Sequence, residues 1–306
     1  MAQKVEEKSI WDKLGTIDYR YVYITFLILL LIPIVRPIGI PMKIGQVTMD
    51  YYNTMKNLPK GSIVLFENWV DLSVWADTGP IVVATFNCLW DIPQDKGIKI
   101  IMFQSSMDGT IKVPSLLKKE CKPPQWRLDT YGTTWVDLGY VGGLTEAGLA
   151  ALALDFKNMI TVDSQGTPLM DIPIIKEVAA RSEPKGVLNA YDFDLYIWGS
   201  WTCTVPDTYV RQFWTAGSPA YKLPQLFMTI ANCVPNAAPY YGSDKPFRGY
   251  IPGAAGAAEL ELLSGHPGEG VKMADMNDLG GVGSVIFLIL GNLAFFGKKL
   301  TEKKKE

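Results

Sequence analysis

The 306 residues carry 29 basic and 31 acidic side chains, a net charge of −2, with 48% hydrophobic and 20% charged residues. That balance excludes a disordered or collagen-like chain and leaves no basic footprint for nucleic acid, so no nucleic-acid partner is expected. One histidine and four scattered cysteines without a CxxC exclude a zinc site, and no metal or cofactor is expected.

In chain order, residues 1–20 form a polar head of mixed charge. An apolar run follows from Tyr21 to Val35 and extends to Met42 if Arg36 snorkels to an interface. No small-x-small cleavage site follows it, so an uncleaved membrane helix over 21–42 is expected rather than a signal peptide. A second apolar run covers 280–297, close to the roughly 20 residues needed to cross a bilayer. A basic tail, 298–306, closes the chain. Lys4, Lys8, Lys13 and Arg20 flank the first run, and Lys298, Lys299 and Lys303 to Lys305 flank the second. The inner flanks are poorer in basic residues. The positive-inside rule then predicts both termini in the cytoplasm and residues 43–279 outside it.

The middle segment alternates strand and helix patterns. Strands are expected at 62–66, 97–103, 134–138, 194–198 and 224–230. Helices are expected at 72–89, 113–121, 144–159, 172–180, 207–216 (with Asp207 as N-cap) and 254–263. Residues 232–250 read as loop. Apolar strands alternating with helices, without tight hairpin turns, predict an α/β domain: a doubly wound, mostly parallel sheet of about five strands. Cys88, Cys121, Cys203 and Cys233 permit one or two disulfides in an oxidising compartment, or remain free and buried.

Ligands of open α/β sheets bind outside the carboxyl ends of the strands. Those ends supply the expected crevice: Glu67, Asn68, Ser105, Ser106, Gly139, Tyr140, Gly142, Ser200 and Asn232. Such residues also favour ordinary turns. Gly139–Gly143, between a strand and a helix, suits either an anion or a glycine-dependent turn, and it matches no nucleotide-binding loop. In Gly249–Glu261 the small residues allow close packing; Glu259 is an acid, a base or a hydrogen-bond anchor, or else the glutamates lie on the solvated side. His266 would have to serve any Ser–His or Cys–His hydrolase, and no nucleophile elbow accompanies it. Carboxylate chemistry through Glu67, Asp71 or Asp137 stays open. Within the second apolar run, Gly280, Gly283, Ser284 and Gly291 are expected to pack membrane helices together, and Asn292 to seek a polar partner.

Tyr131–Tyr140 (YGTTWVDLGY) and Arg248–Glu261 (RGYIPGAAGAAELE) resemble two blocks of a prokaryotic family of two-span membrane proteins, with patterns near YGxDYVxLGYxPG and GxLxGxxGAAEYE. The chain departs from them at Thr134, at Gly142 where a proline is expected, and at Leu260. The resemblance implies a membrane-anchored α/β domain and carries no activity with it.

The preferred reading is a membrane-anchored structural, assembly or binding component that presents an extracytoplasmic α/β domain and oligomerises. Its partners would be the bilayer and either itself or another membrane protein. Nine tryptophans and fourteen tyrosines suit such contacts. The alternative is an anchored hydrolase or transferase with its site at the strand ends. A transport subunit is disfavoured, because two spans make no pathway alone.

Overall fold

A computed structural model describes residues 10–303 apart from 70, 122, 183, 185 and 216–221. The outermost charges expected to set topology (Lys4, Lys8, Lys304 and Lys305) lie outside the described residues, as does Ala216 of an expected helix. The chain divides into two compact units: Met1–Pro41 with Val271–Glu306, and Met42–Gly270.

In the first unit, a helix spans Tyr19–Val35, with the Asp18 carboxylate accepting from the Arg20 N–H at 2.9 Å. It stops where Pro37 forbids helical geometry at Arg36, which is extended at φ −149° and ψ 118°. The expected extension to Met42 is therefore not helical. Seventeen residues reach only about 26 Å. Beyond the stop, the backbone N–H groups of Ile38, Gly39 and Ile40 donate to the buried Asp275 carboxylate at 2.6, 2.9 and 2.9 Å. Gly39 makes that turn possible at φ +70°.

Asp275 belongs to a 35-residue helix, Glu269–Lys303, longer than the expected 280–297. Residues Glu269–Thr301 of it include a window of mean hydropathy 2.0 that is only 11% buried. This helix is long and apolar enough to cross a membrane; the Tyr19–Val35 helix is apolar but shorter. The two helices meet at glycines. A Cβ on Gly283 would lie 2.9 Å from Leu29 and 3.5 Å from Phe26, and one on Gly280 would lie 3.5 Å from Leu30. Phe26 stacks on Phe287 at 5.4 Å.

Only part of the expected small-residue set packs this way. Ser284 is exposed and bonds its own helix at Gly280, and a Cβ on Gly291 would meet nothing within 4 Å. Asn292 finds its polar partner in its own helix, the Leu288 carbonyl at 2.7 Å. Gly297, which the sequence reading did not single out, makes room for Trp11 instead.

In the second unit, six parallel strands form one sheet in the order β3-β2-β1-β4-β5-β6. They are β1 Ile63–Asn68, β2 Lys99–Gln104, β3 Trp135–Tyr140, β4 Leu195–Ser200, β5 Gln225–Thr229 and β6 Phe247–Pro252. The α/β expectation holds, with one strand more than foreseen. Strand parity divides the core in two. Ile63, Leu65, Ile101, Phe103, Tyr196, Trp198 and Phe227 face one layer, which holds the helices Glu146–Leu154, Pro173–Arg181 and Val205–Val210. Val64, Phe66, Ile100, Met102, Ile197, Leu226 and Met228 face the other, which holds Gln46–Lys56, Trp75–Trp90 and Gly253–Ser264.

Structure and sequence pattern part where local signals are weak. β6 begins inside the 232–250 stretch expected to be loop and runs past its end, and the Gln46–Lys56 helix was not foreseen. The expected 113–121 helix begins earlier, at Met107–Ser115, and continues as a wider π turn over Leu116–Glu120. The 144–159 helix ends at Leu154. Asp207 is not a cap: Thr204 precedes the helix, and Asp207, inside its first turn, accepts from the Tyr240 hydroxyl.

Cys203 and Cys233 form a disulfide joining the loops after β4 and β5, while Cys88 and Cys121 are free and buried. Burial pushes both free thiols up to about 12, so their thiolates are scarce at neutral pH. Alkylation under native conditions should therefore spare all four cysteines. After denaturation it should label two without reductant and four with it, as counted by intact mass. Four labels without reductant would contradict the disulfide.

Candidate functional site

The strand order reverses between β1 and β4, where a ligand crevice is expected in such a sheet. Here that position is filled. Glu67 and Asn68 at the end of β1 are fully buried, and Ser200 at the end of β4 is 4% exposed. Among the described residues, a cavity of about 10 Å³ lies nearby, bounded by residues that include Trp69, Ser200 and Trp201.

Glu67 accepts a hydrogen bond from the Tyr209 hydroxyl at 2.8 Å and a second from Tyr196. The Ser105 hydroxyl also favours the ionised form, from outside good hydrogen-bond geometry. Burial nevertheless dominates and pushes this carboxyl up to about 7. The same burial, with Glu67 beside them, raises both tyrosines well above their ordinary value. This cluster is a sealed polar knot in the core. On the opposite face, neither side-chain polar atom of Asn68 has a hydrogen-bond partner.

The other expected crevice residues do not gather there. Ser106 caps the Met107–Ser115 helix, its hydroxyl accepting from the Asp108 N–H at 3.3 Å. Asn232 is exposed in a short 3-10 turn beside Cys233. Gly139, Tyr140 and Gly142 belong to a different place, the ends of β2 and β3.

That place is open. A pocket of about 470 Å³ is lined by Gln104, Asp137, Tyr140, Thr161, Asp163 and Ser164, among others. Its volume is typical of small-molecule sites, about 300–1,000 Å³. Asp137 sits in the apolar strand Trp135–Tyr140 and is half-buried. Gln104 Nε2 and the Gly139 N–H both donate to its Oδ1, at 2.7 and 2.9 Å. Gly139, at φ +74°, turns the strand end so that its N–H reaches back to that oxygen. Gly109 leaves space for Gln104, since a Cβ there would fall 2.5 Å from the Gln104 side chain. Burial is the largest influence on Asp137 and raises its pKa; Gln104, Gly139 and Ser164 oppose it, and nearby Asp163 adds to it.

Asp163 is occupied differently. Its Oδ1 accepts from the N–H groups of Gln165 and Thr167 at 2.9 and 2.7 Å, and its Oδ2 from the Tyr131 hydroxyl at 3.0 Å. It holds the turn that walls the pocket. Tyr140 is 43% exposed at the site, and Gly142 lies against its ring, a Cβ there being 3.2 Å from the tyrosine hydroxyl. Asp163 and Ser164 are not among the residues expected in the crevice. An acid leading Asp-Ser-Gln-Gly-Thr signals a turn, and nothing local tells that the turn faces the end of β3.

Elsewhere the expectations reduce to structural roles. The Gly139–Gly143 loop leads into a helix whose Gly148 N–H is capped by the Thr145 hydroxyl at 3.4 Å, and the adjoining pocket is acidic, so an anion is not favoured there. Glu259 is an anchor, accepting from the Gly45 N–H at 3.0 Å. Glu261 is 1% exposed rather than solvated and accepts from Gly268 and Gly270 at 2.8 and 2.9 Å. His266 pairs with Asp91 at 2.5 Å, in a groove of about 860 Å³ where Lys112 also pairs with Glu120. Asp71 caps its own turn at Ser73. No three histidine, cysteine or acidic side chains converge as metal ligands among the described residues. Comparison with family models, with curated proteins and with solved structures gives no match for this chain.

Proposed function

We propose that the protein is a membrane-anchored binding and assembly component that holds its α/β domain outside the cytoplasm and oligomerises through its membrane helices. The observation that carries this reading is the Glu269–Thr301 helix, whose apolar window is only 11% buried. Val282, Val285, Leu288, Leu293 and Phe296 on that helix are each about half exposed or more, a surface suited to lipid or to another helix. The Cys203–Cys233 disulfide supports an oxidising surrounding for the domain. The resemblance of the 131–140 and 248–261 segments to a two-span membrane family agrees with it.

The hydrolase or transferase reading required the strand-end residues to converge in an open pocket. Glu67 and Ser105 do meet, but Glu67 is sealed by Tyr196 and Tyr209, while Tyr140 and Asn232 lie elsewhere. That favours binding over catalysis.

Extraction in mild detergent, followed by light scattering, tests the proposal. A discrete multimer or a stoichiometric co-purifying membrane protein is expected. A strict monomer without companions would count against it, as would a domain protected from an extracellular protease in whole cells.

A further inference from the structure

We propose that the pocket at the ends of β2 and β3 binds a small organic cation, seating a protonated amine between the Asp137 carboxylate and the Tyr140 ring. The inference deepens the binding-component reading and rests on it for the pocket's having a ligand at all.

Charge decides the class of ligand. Among the described residues, the lining holds two carboxylates, Asp137 and Asp163, and no lysine, arginine or histidine. An anion entering it would meet repulsion without compensation. Asp163 is already engaged by two backbone N–H groups and a tyrosine hydroxyl, so it contributes field rather than a free acceptor. Asp137 is the acceptor with capacity. The hydrogen bonds from Gln104 and Gly139 both land on Oδ1, which leaves Oδ2 facing the Ser164 hydroxyl and open to a further donor.

A half-buried carboxylate normally recovers its desolvation cost from a cation. Asp137 forms no ion pair among the described residues. A ligand ammonium would supply the missing partner.

The aromatic ring selects an organic cation over a metal ion. Tyr140 lines the same pocket and is 43% exposed, and a tyrosine face attracts an organic cation through its ring quadrupole. No three histidine, cysteine or acidic side chains converge there among the described residues, so the lining offers no ready metal site. Thr161 and Ser164 add hydroxyl groups for the remaining ammonium protons.

The test is calorimetric titration of the full-length protein in detergent with 1,5-diaminopentane. The equally long 1,5-pentanediol and glutarate serve as neutral and anionic controls. The diamine is expected to bind at one site, and the controls about tenfold or more weakly. Asp137→Asn should weaken diamine binding by about tenfold or more, and Tyr140→Leu several-fold. Asp171→Asn, which removes an exposed acid outside the pocket, should leave it unchanged.

If Asp137→Asn fails to fold, Tyr140→Leu decides, since that ring is exposed. The inference is overturned if no probe binds, if glutarate or the diol matches the diamine, or if both pocket variants bind as the parent does. Light scattering on the same samples separates the two readings. A multimer that ignores the diamine sinks only the amine site, and a monomer that binds it sinks only assembly.

Discussion

Gly249→Ala is expected to destabilise the domain by about 3 kcal/mol or more, lowering its melting temperature by about 6–12 °C. Gly249 lies in β6 where the Gln46–Lys56 helix crosses it. An added Cβ would stand 2.4 Å from the Tyr51 backbone nitrogen and 2.6 Å from its Cα. Those atoms belong to helix backbone, so no side-chain rotation relieves the clash. The helix must move off the sheet, and with it Tyr51, whose buried hydroxyl bonds Thr85 at 3.0 Å. Gly281→Ala is the control: its Cβ meets nothing within 4 Å, and alanine in a helix is neutral or mildly favourable. Equal melting temperatures for the two variants would refute this account of the helix–strand approach.

The second large effect is on pH dependence. Burial raises the Glu67 carboxyl from its ordinary 4.5 to about 7, so the folded protein holds that proton more tightly than the unfolded chain does. The associated stability is complete below about pH 4.5 and is lost as pH rises through 7. A shift of that size corresponds to about 3 kcal/mol. Glu67→Gln abolishes the titration. Measured by chemical denaturation from pH 4.5 to 8, the stability of Glu67→Gln relative to the parent should rise by about 3 kcal/mol. Parallel profiles would show that Glu67 is not the buried titrating group. Glu67→Leu should instead be destabilising throughout, because it strands the buried hydroxyls of Tyr196 and Tyr209, at about 1–3 kcal/mol each.

Both residues show why the site was only partly legible. Glu67 was singled out for lying at the end of an apolar strand, and it does lie at the strand-order reversal. What closes that position is Tyr196 on β4 and Tyr209 on the Val205–Val210 helix, 129 and 142 residues away in sequence. Tyr140 and Gly139 were expected in the same crevice as Ser200. The strand order sends them to the far edge, because β3 pairs with β2 and not with β4. Asp163 was invisible as a pocket residue, since a turn acid reads alike whether it faces a cavity or water.

In the first unit, glycine spacing anticipated the approach at Gly280 and Gly283 but not the exposure of Ser284 and Gly291. At about 100° per residue the four small residues fall within about 100° of one another, so spacing alone does not tell which of them a neighbouring helix reaches.

The sequence by itself determined the parallel α/β architecture and the apolar C-terminal helix. Continuous apolar runs of strand length and an unbroken apolar stretch are local properties, written in consecutive residues. Tertiary structure alone decided that β6 exists, that the switch-point crevice is filled, and that the open pocket lies under Tyr140. β6 contains Gly249 and Pro252 and lacks a strong strand signal; it forms because β5 offers a free edge and a helix can approach its glycine. Which polar strand ends are sealed and which are open depends on what packs across them, and those partners come from distant parts of the chain.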